Sequence, residues 1–451
     1  MEMVKAEGVD RHKMGDVGGS SPLSVLRVRD FRLLWIGQGI SLLGDQFHMI
    51  ALPWLVLQLT GNALAMATVL ALAGIPRALF MLVGGALTDR YSPRMVMLAS
   101  TTLRMGLVAL LAGVVLTGTI QLWMLYVFAL VFGLMDAFFF PAQNAIVPRL
   151  IDKEFLQAGN ALIQGTAQLS MFVGPVLAGT LIALLNGQNA QLAGTAPSVA
   201  DLQGIGIAFG FDAFTFLVST ITVCMIRTRG VMDQADGANG ESDMVSSIRD
   251  GLLAVWNDPP LRISFSVVAA LNLLVAGPFM VGIPVLAASR FVERAAAYGV
   301  ITSAYGGGSL IGTVLAGMLA APKPQHFGQR LMLVASTMGL GLALLGLTSS
   351  TVIAALVSLV MGLANGYVVI LFITWLQKRT PQALMGRMMS VLMFAAVGLI
   401  PVSTALAGAL IELNATLLFV VAGALLTAIA LLAGLNPAVH TMGLEQGERV
   451  S

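Results

Sequence analysis

The chain is poor in the residues on which most site chemistry depends. Its 451 residues include one cysteine and four histidines, and only 10% are charged. The lone Cys224 excludes an internal disulfide framework and a multi-cysteine metal site. His12, His48, His326 and His440 are scattered and form no HExxH-type pair, and no GxxxxGKS/T phosphate loop occurs. No metal or other cofactor is expected, and an enzyme reading finds no nucleophile–base constellation to rest on. A formal net charge of +2 lacks the basic excess that a nucleic-acid partner calls for.

What fills the chain instead is apolar. Hydrophobic residues make up 57% of it, beside 49 Gly and 25 Met, and the mean hydropathy is +0.89. A soluble domain carries roughly 25% charged residues. No core could shelter this much apolar surface from water, so lipid must be the solvent. A spanning helix takes about 20 apolar residues. The sequence predicts twelve, near 32–58, 63–87, 95–117, 121–143, 159–185 and 205–226, then near 261–286, 298–320, 330–348, 352–376, 388–411 and 414–434. The expected class is an all-α integral membrane protein.

Lysine and arginine sort the connecting loops. Arg90 and Arg94, Arg149 and Lys153, Arg227 and Arg229, Lys323, and Lys378, Arg379 and Arg387 all fall on one side, against Arg290 and Arg294 opposite. The positive-inside bias then predicts a multi-pass protein of the inner (plasma) membrane with both termini cytoplasmic. Residues 1–30, without the apolar core and cleavage site of a secretory leader, are expected as a cytoplasmic tail. Residues 31–226 form a first six-helix bundle and 261–434 a second. Between them, 227–260 is a cytoplasmic linker with Gly/Asp-rich "RTRGVMDQADGANGESD" and an interfacial helix, and 435–451 is a cytoplasmic tail. The halves echo each other. "AGTLIALLN" from Ala178 answers "AGALIELN" from Ala407, and "GLMDA" from Gly133 answers "GLANG" from Gly362. An internal duplication around a central cavity is a known transporter plan.

The stretch "GALTDRYSPR" crowds Asp89, Arg90 and Arg94 into the loop between spans two and three. It resembles the signature loop of the major facilitator superfamily, Gly-x-x-x-Asp-Arg-x-Gly-Arg-Lys. Gly85, Asp89, Arg90 and Arg94 match, whereas Ser92 and Pro93 depart from it. The resemblance runs from Phe31 to about Gly434. It implies twelve helices in two pseudo-symmetric six-helix bundles that alternate access to one cavity. It also implies that these four residues form a cytoplasmic gate, with Asp89 latching the halves; simple anchoring of the arginines to anionic headgroups is the competing reading. Ala321 stands where the second half would repeat Asp89, so the latch is expected to be one-sided. In span five, Gly174, Pro175 and Gly179, with small residues at Ala161, Ser170 and Ala178, resemble a motif of family exporters, implying a bend and tight packing. "FRLLWIGQGISLLGD" from Phe31, "FFFPAQNAIVPRLIDKEFLQAGNAL" from Phe138 and "FGFDAFTFLVS" from Phe209 resemble the branch of macrolide-efflux proteins and siderophore exporters.

Asp45, Arg77, Arg104, Asp136 and Asp212 fall inside predicted spans, where a charge costs roughly 2.5–3.5 kcal/mol at the bilayer centre on insertion scales. They should face the cavity or one another. Asp45, Asp136 and Asp212 are proton-coupling candidates, with Asp212 expected nearer the outer side, and Arg77 and Arg104 are their charge partners. A purely structural Asp–Arg lattice is the alternative. Many family antiporters carry an arginine in span four; this chain has Asp136 there. Gln38, Gln46, Asn272 and Asn365 are candidates to line the substrate cavity. The expectation is a monomeric secondary exporter of drugs, macrolide-like compounds or siderophores, whose partners are substrate, protons and membrane lipid. A facilitator or importer of another metabolite, and a non-transporting membrane scaffold, are the alternatives.

Overall fold

The computed structural model describes residues 22–186, 199–227, 253, 255–319, 326–380, 388, 391–392, 394–440 and 442. Among them every regular element is helical. Within lipid a backbone must satisfy its own polar groups, so long apolar runs become helices even across Pro53, Pro76, Pro141, Pro148 and Pro175. The first half holds α1 (Arg29–Thr60), α2 (Ala63–Arg90), α3 (Pro93–Leu116), α4 (Leu122–Leu150), α5 (Leu156–Leu185) and α6 (Val199–Met225). The second holds α7 (Pro259–Arg290), α8 (Ala295–Met318), α9 (Phe327–Leu347), α10 (Thr351–Arg379), α11 (Ile400–Ile411) and α12 (Ala415–Gly434). Eleven of these are long and apolar enough to cross a membrane; α11 is shorter and follows a π turn at Phe394–Gly398. Helices end where the chain demands it. Gly61, at a φ of 60°, turns the chain after α1 and donates to the Leu57 carbonyl, a left-handed cap that favours glycine.

The helices pair in the same way in both halves. α6 packs on α1 and α3, α4 on α2 and α3, and α5 on α1; likewise α12 packs on α7 and α9, α10 on α8 and α9, and α11 on α7. The duplication seen in the sequence therefore extends to the packing. We call the side on which α1 begins the near face and the opposite side the far face.

The halves meet along two seams, α5 with α8 and α2 with α11. The first is backbone on backbone. A Cβ at Gly179 would stand 2.5 Å from the Ala295 carbonyl oxygen, one at Gly299 2.3 Å from that of Pro175, and one at Gly306 2.3 Å from that of Met171. The Val176 N–H, just after Pro175, donates across this seam to Ser303 Oγ at 2.8 Å. In the second seam Gly408 abuts Ala67 and the Leu64 N–H donates to Glu412 Oε1 at 3.4 Å. Two turns nearer the near face than Phe172 lies Gly165, and three turns beyond Gly306 lies Gly317. Both share their helix's seam-facing side, yet neither would meet anything within 4 Å. Along the described residues, then, α5 and α8 touch at the far face and mid-depth and part towards the near face.

Two local features differ from expectation. Residues Pro22–Arg27, inside the expected tail, form a 3-10 turn whose Val25 is buried with Phe31 and Leu34. Span seven is longer than its predicted 261–286 and contains two π turns, Asn272–Ala276 and Pro278–Gly282. Between them Ser403 of α11 enters the backbone ladder: its hydroxyl donates to the Leu273 carbonyl at 2.6 Å and accepts from the Gly277 N–H at 2.7 Å. One i→i−4 bond is replaced by two in series. Insertions of this kind are an established cause of helix kinks.

Candidate functional site

Four charged side chains sit near the midpoints of their helices in the first half, and one helix alone could hold none of them. Arg104 of α3 is 4% exposed. Its Nη2 lies 3.0 Å from Asp45 Oδ1 of α1 and 3.2 Å from Asp136 Oδ1 of α4, so one guanidinium bridges three helices. Phe132, Phe139 and Phe216 surround the guanidinium with ring centroids at 4.9, 4.9 and 4.4 Å. A cation so placed is held by ring quadrupoles as well as by the carboxylates. Truncating one partner would leave the other charge buried and uncompensated.

Asp212 of α6 is wholly buried in the same layer, 3.3 Å from His48 Nδ1. Its expected position nearer the outer side is corrected: a Cβ at Gly44, next to Asp45, would stand 2.7 Å from Asp212 Oδ1. His48 lies almost parallel to Phe132, centroids 4.6 Å apart, and Phe128 stacks on the same system. Three carboxylates thus share one guanidinium and one imidazole. An arrangement with more acids than permanent cations is one that can bind and release a proton.

Arg77 is not a charge partner of this layer, contrary to expectation. Among the described residues it forms no ion pair. The reason is placement: α2 packs chiefly on α4 and α11, whereas Arg104 comes from α3, which packs on α4 and α6. Leu64, Ile75 and Leu79 are exposed on one side of α2, the side a bilayer would cover. Arg77 is half-buried on the opposite side, the one turned into the molecule. His48, not Arg77, lies beside Asp212. Its spacing of three residues from Asp45 places both on one helix face, a signal that was available in the sequence.

The remaining candidates divide. The side chains of Gly85, Asp89 and Arg90 lie outside the described residues, although the backbone there continues α2. Arg94 donates to the carbonyls of Val223 (3.2 Å) and Cys224 (2.6 Å), the exposed end of α6, where a cation suits the helix dipole. Gly174 admits Gln46 of α1: a Cβ there would stand 2.4 Å from Gln46 Cβ. Gln46 is half-buried and its Oε1 has no partner. Gln38 is only 3% exposed and lies inside the first half, away from open space. Asn272 spends its amide on the Val268 carbonyl at 2.9 Å, and Asn365 stays half-buried on α10. Ser303 and Ser403 were not singled out in the sequence. A serine in an apolar helix gives no hint of which opened backbone it will meet.

Comparison with known proteins follows the same lines. The profile of the Major Facilitator Superfamily matches residues 34–401. Among curated proteins, the multidrug efflux pump Tap of Mycolicibacterium fortuitum is 27% identical over 395 residues, 83% of this chain and 88% of Tap. Macrolide efflux protein A of Streptococcus pyogenes is 22% identical over 320 residues, 70% of this chain and 73% of that protein. Among solved structures, a bacterial homologue of the iron transporter ferroportin in an inward-facing state superposes with a TM-score of 0.68 at 16% identity, covering 90% of this chain and 99% of its own.

Proposed function

This chain belongs to the major facilitator superfamily, a multi-pass membrane transporter rather than an enzyme, and we propose that it exports amphipathic small molecules in exchange for protons. The Asp45–Arg104–Asp136 layer with Asp212 and His48 carries the reading. In it Asp45 is the coupling acid. It is the most exposed of the three carboxylates, about a third open, whereas Asp212 is sealed and Asp136 nearly so. A group that must meet both water and Arg104 is the one to alternate between them. When Asp45 takes a proton, Arg104 retains Asp136, and the first half stays folded through the cycle. Substrate enters between the halves from the near face, which this reading makes cytoplasmic, and passes half-buried Gln46, Asn365 and Arg77. Its apolar body meets aromatic surface such as Phe279, whose ring stands 4.7 Å from Tyr305. The efflux relatives support the direction of transport and the drug-like cargo.

Everted vesicles test this with a panel of dyes and macrolides, with and without a proton gradient. The expected result is gradient-driven accumulation that Asp45→Asn reduces at least tenfold, while downhill substrate exchange persists. Accumulation unaffected by collapsing the gradient, or by Asp45→Asn and Asp136→Asn alike, would overturn the coupling assignment.

A further inference from the structure

The first half holds polar side chains that the charged layer does not use. Gln38 of α1, Thr101 of α3 and Ser219 of α6 are 3%, 1% and 1% exposed, and Thr220 beside them is half-buried. The Gln38 amide oxygen and nitrogen and the hydroxyls of Thr101, Ser219 and Thr220 have no hydrogen-bond partner. A buried polar group left unmet is costly, and buried water is the usual partner. The second half offers nothing comparable: among its described residues only Ser358 Oγ and Arg379 Nε are buried without a partner.

These groups are stacked. On α6, Asp212, Thr215, Ser219 and Thr222 follow one another at helical spacing, a rise of about 15 Å. α1 makes room for them, because Gly37 faces Thr222 and Ser219, and Gly44 faces Thr215 and Asp212. Thr215 and Thr222 donate to the carbonyls of Asp212 and Ser219, leaving their oxygens to accept. The stack begins at the carboxylate layer and runs towards the near face. There it stops under buried Phe31, Leu34, Met97 and Val223.

We propose that this stack is a hydrated proton path, separate from the substrate cavity, linking the carboxylate layer to the near face through an apolar gate. It rests on the proton-exchange reading above. Water and the unpartnered hydroxyls of Thr101, Ser219 and Thr220 accept a proton on one lone pair and release another from the O–H, so a proton entering one end frees one at the other. Thr215 and Thr222, whose O–H groups are held by backbone carbonyls, orient that water by accepting from it. The groups that load it face it from every side: Asp45 and His48 on α1, Arg104 on α3, Asp136 on α4 and Asp212 on α6. α5, packed on α1, has no titratable side chain over 156–185, and at the near end Arg94 of α3 holds the Val223 and Cys224 carbonyls. The apolar layer closes the path by excluding water, as hydrophobic constrictions do in channels.

The test uses the full chain in liposomes with a lumenal pH dye and an imposed potential. Thr101→Val with Ser219→Ala dries the path. Proton movement accompanying substrate should fall about tenfold while downhill substrate exchange stays within twofold of the parent. Ser219→Ala alone, a smaller change should the pair fold poorly, should slow it about threefold. Met97→Ser wets the gate and should raise proton leak without substrate at least fivefold. Parent vesicles that move substrate without protons would overturn the exchange reading and the path with it. Intact proton coupling in the double variant, with no leak through Met97→Ser, would overturn the path alone.

Discussion

Two halves with one packing plan have divided the chemistry between them. The first half keeps its charges inside: Asp45, Arg104, Asp136 and Asp212 stand on four different helices, with Arg104 between Asp45 and Asp136 and with His48 beside Asp212. In the second half the corresponding helices are neutral at that depth. α12 has no charged residue, α9 has only Arg330 near its start, and Asn365 stands where the repeat places Asp136. What the second half has instead is backbone irregularity, two π turns in α7 opened around Ser403. Charge that must respond to protons is gathered in one bundle. The other bundle, free of that electrostatic load, can deform its backbone. Symmetry of architecture has not imposed symmetry of role.

The sharpest way to break the comparison is to remove the cation of the first half. Arg104→Ala strands Asp45 and Asp136 and should cost about 3–5 kcal/mol, the range for breaking a buried pair by removing one partner. Thermal unfolding in detergent should show a large drop in midpoint, while Arg104→Lys recovers part of it. Unchanged stability would mean that the layer does not tie the half together. Next, Asn365→Asp writes the acid of the first half into the second. With no arginine at that depth of α9 to receive it, the charge should cost up to about 2.5–3.5 kcal/mol, read as the same shift in midpoint. Restoration by a second substitution, Met338→Arg on α9, would show that the halves differ only in which charges they hold.

The smallest effect lies at the far face of the second half, where Glu293 accepts a hydrogen bond from Thr351 Oγ1 at 2.6 Å. That bond holds the exposed Glu293 carboxyl below its usual range. The linked stability is present above the carboxyl's unfolded value of 4.5 and is lost as pH falls through its lower folded value. Glu293→Gln should flatten this slight acid dependence by lowering the midpoint a little at neutral pH while matching the parent in acid, where Glu293 is protonated. An unchanged difference between the two proteins from neutral pH into acid would mean that the bond carries no linked stability.

The helical class and repeat were legible because lipid leaves a long apolar run one option, and because "GLMDA" and "GLANG" kept their register. Buried charge was legible too, since a charge within an apolar span must be answered. Which charge answers which was not: Arg77 and Arg104 look alike in sequence, and only the packing of α3 on α4 and α6 sets Arg104 among the carboxylates. The bulges of α7 left less trace still. Pro278 and the flanking glycines announce weakness in a helix, but the hydroxyl that exploits it arrives from a residue 126 positions away.

The glycine seam between α5 and α8 has a mechanical corollary. Gly299 and Gly306 lie seven residues apart, about 10 Å along one helix, and each rests directly on the backbone of α5. Two bearings on one shaft define an axle. Bodies joined this way can turn about the shaft with little side-chain bulk at the bearings, and the Val176–Ser303 bond between the two is a contact that such a turn would strain.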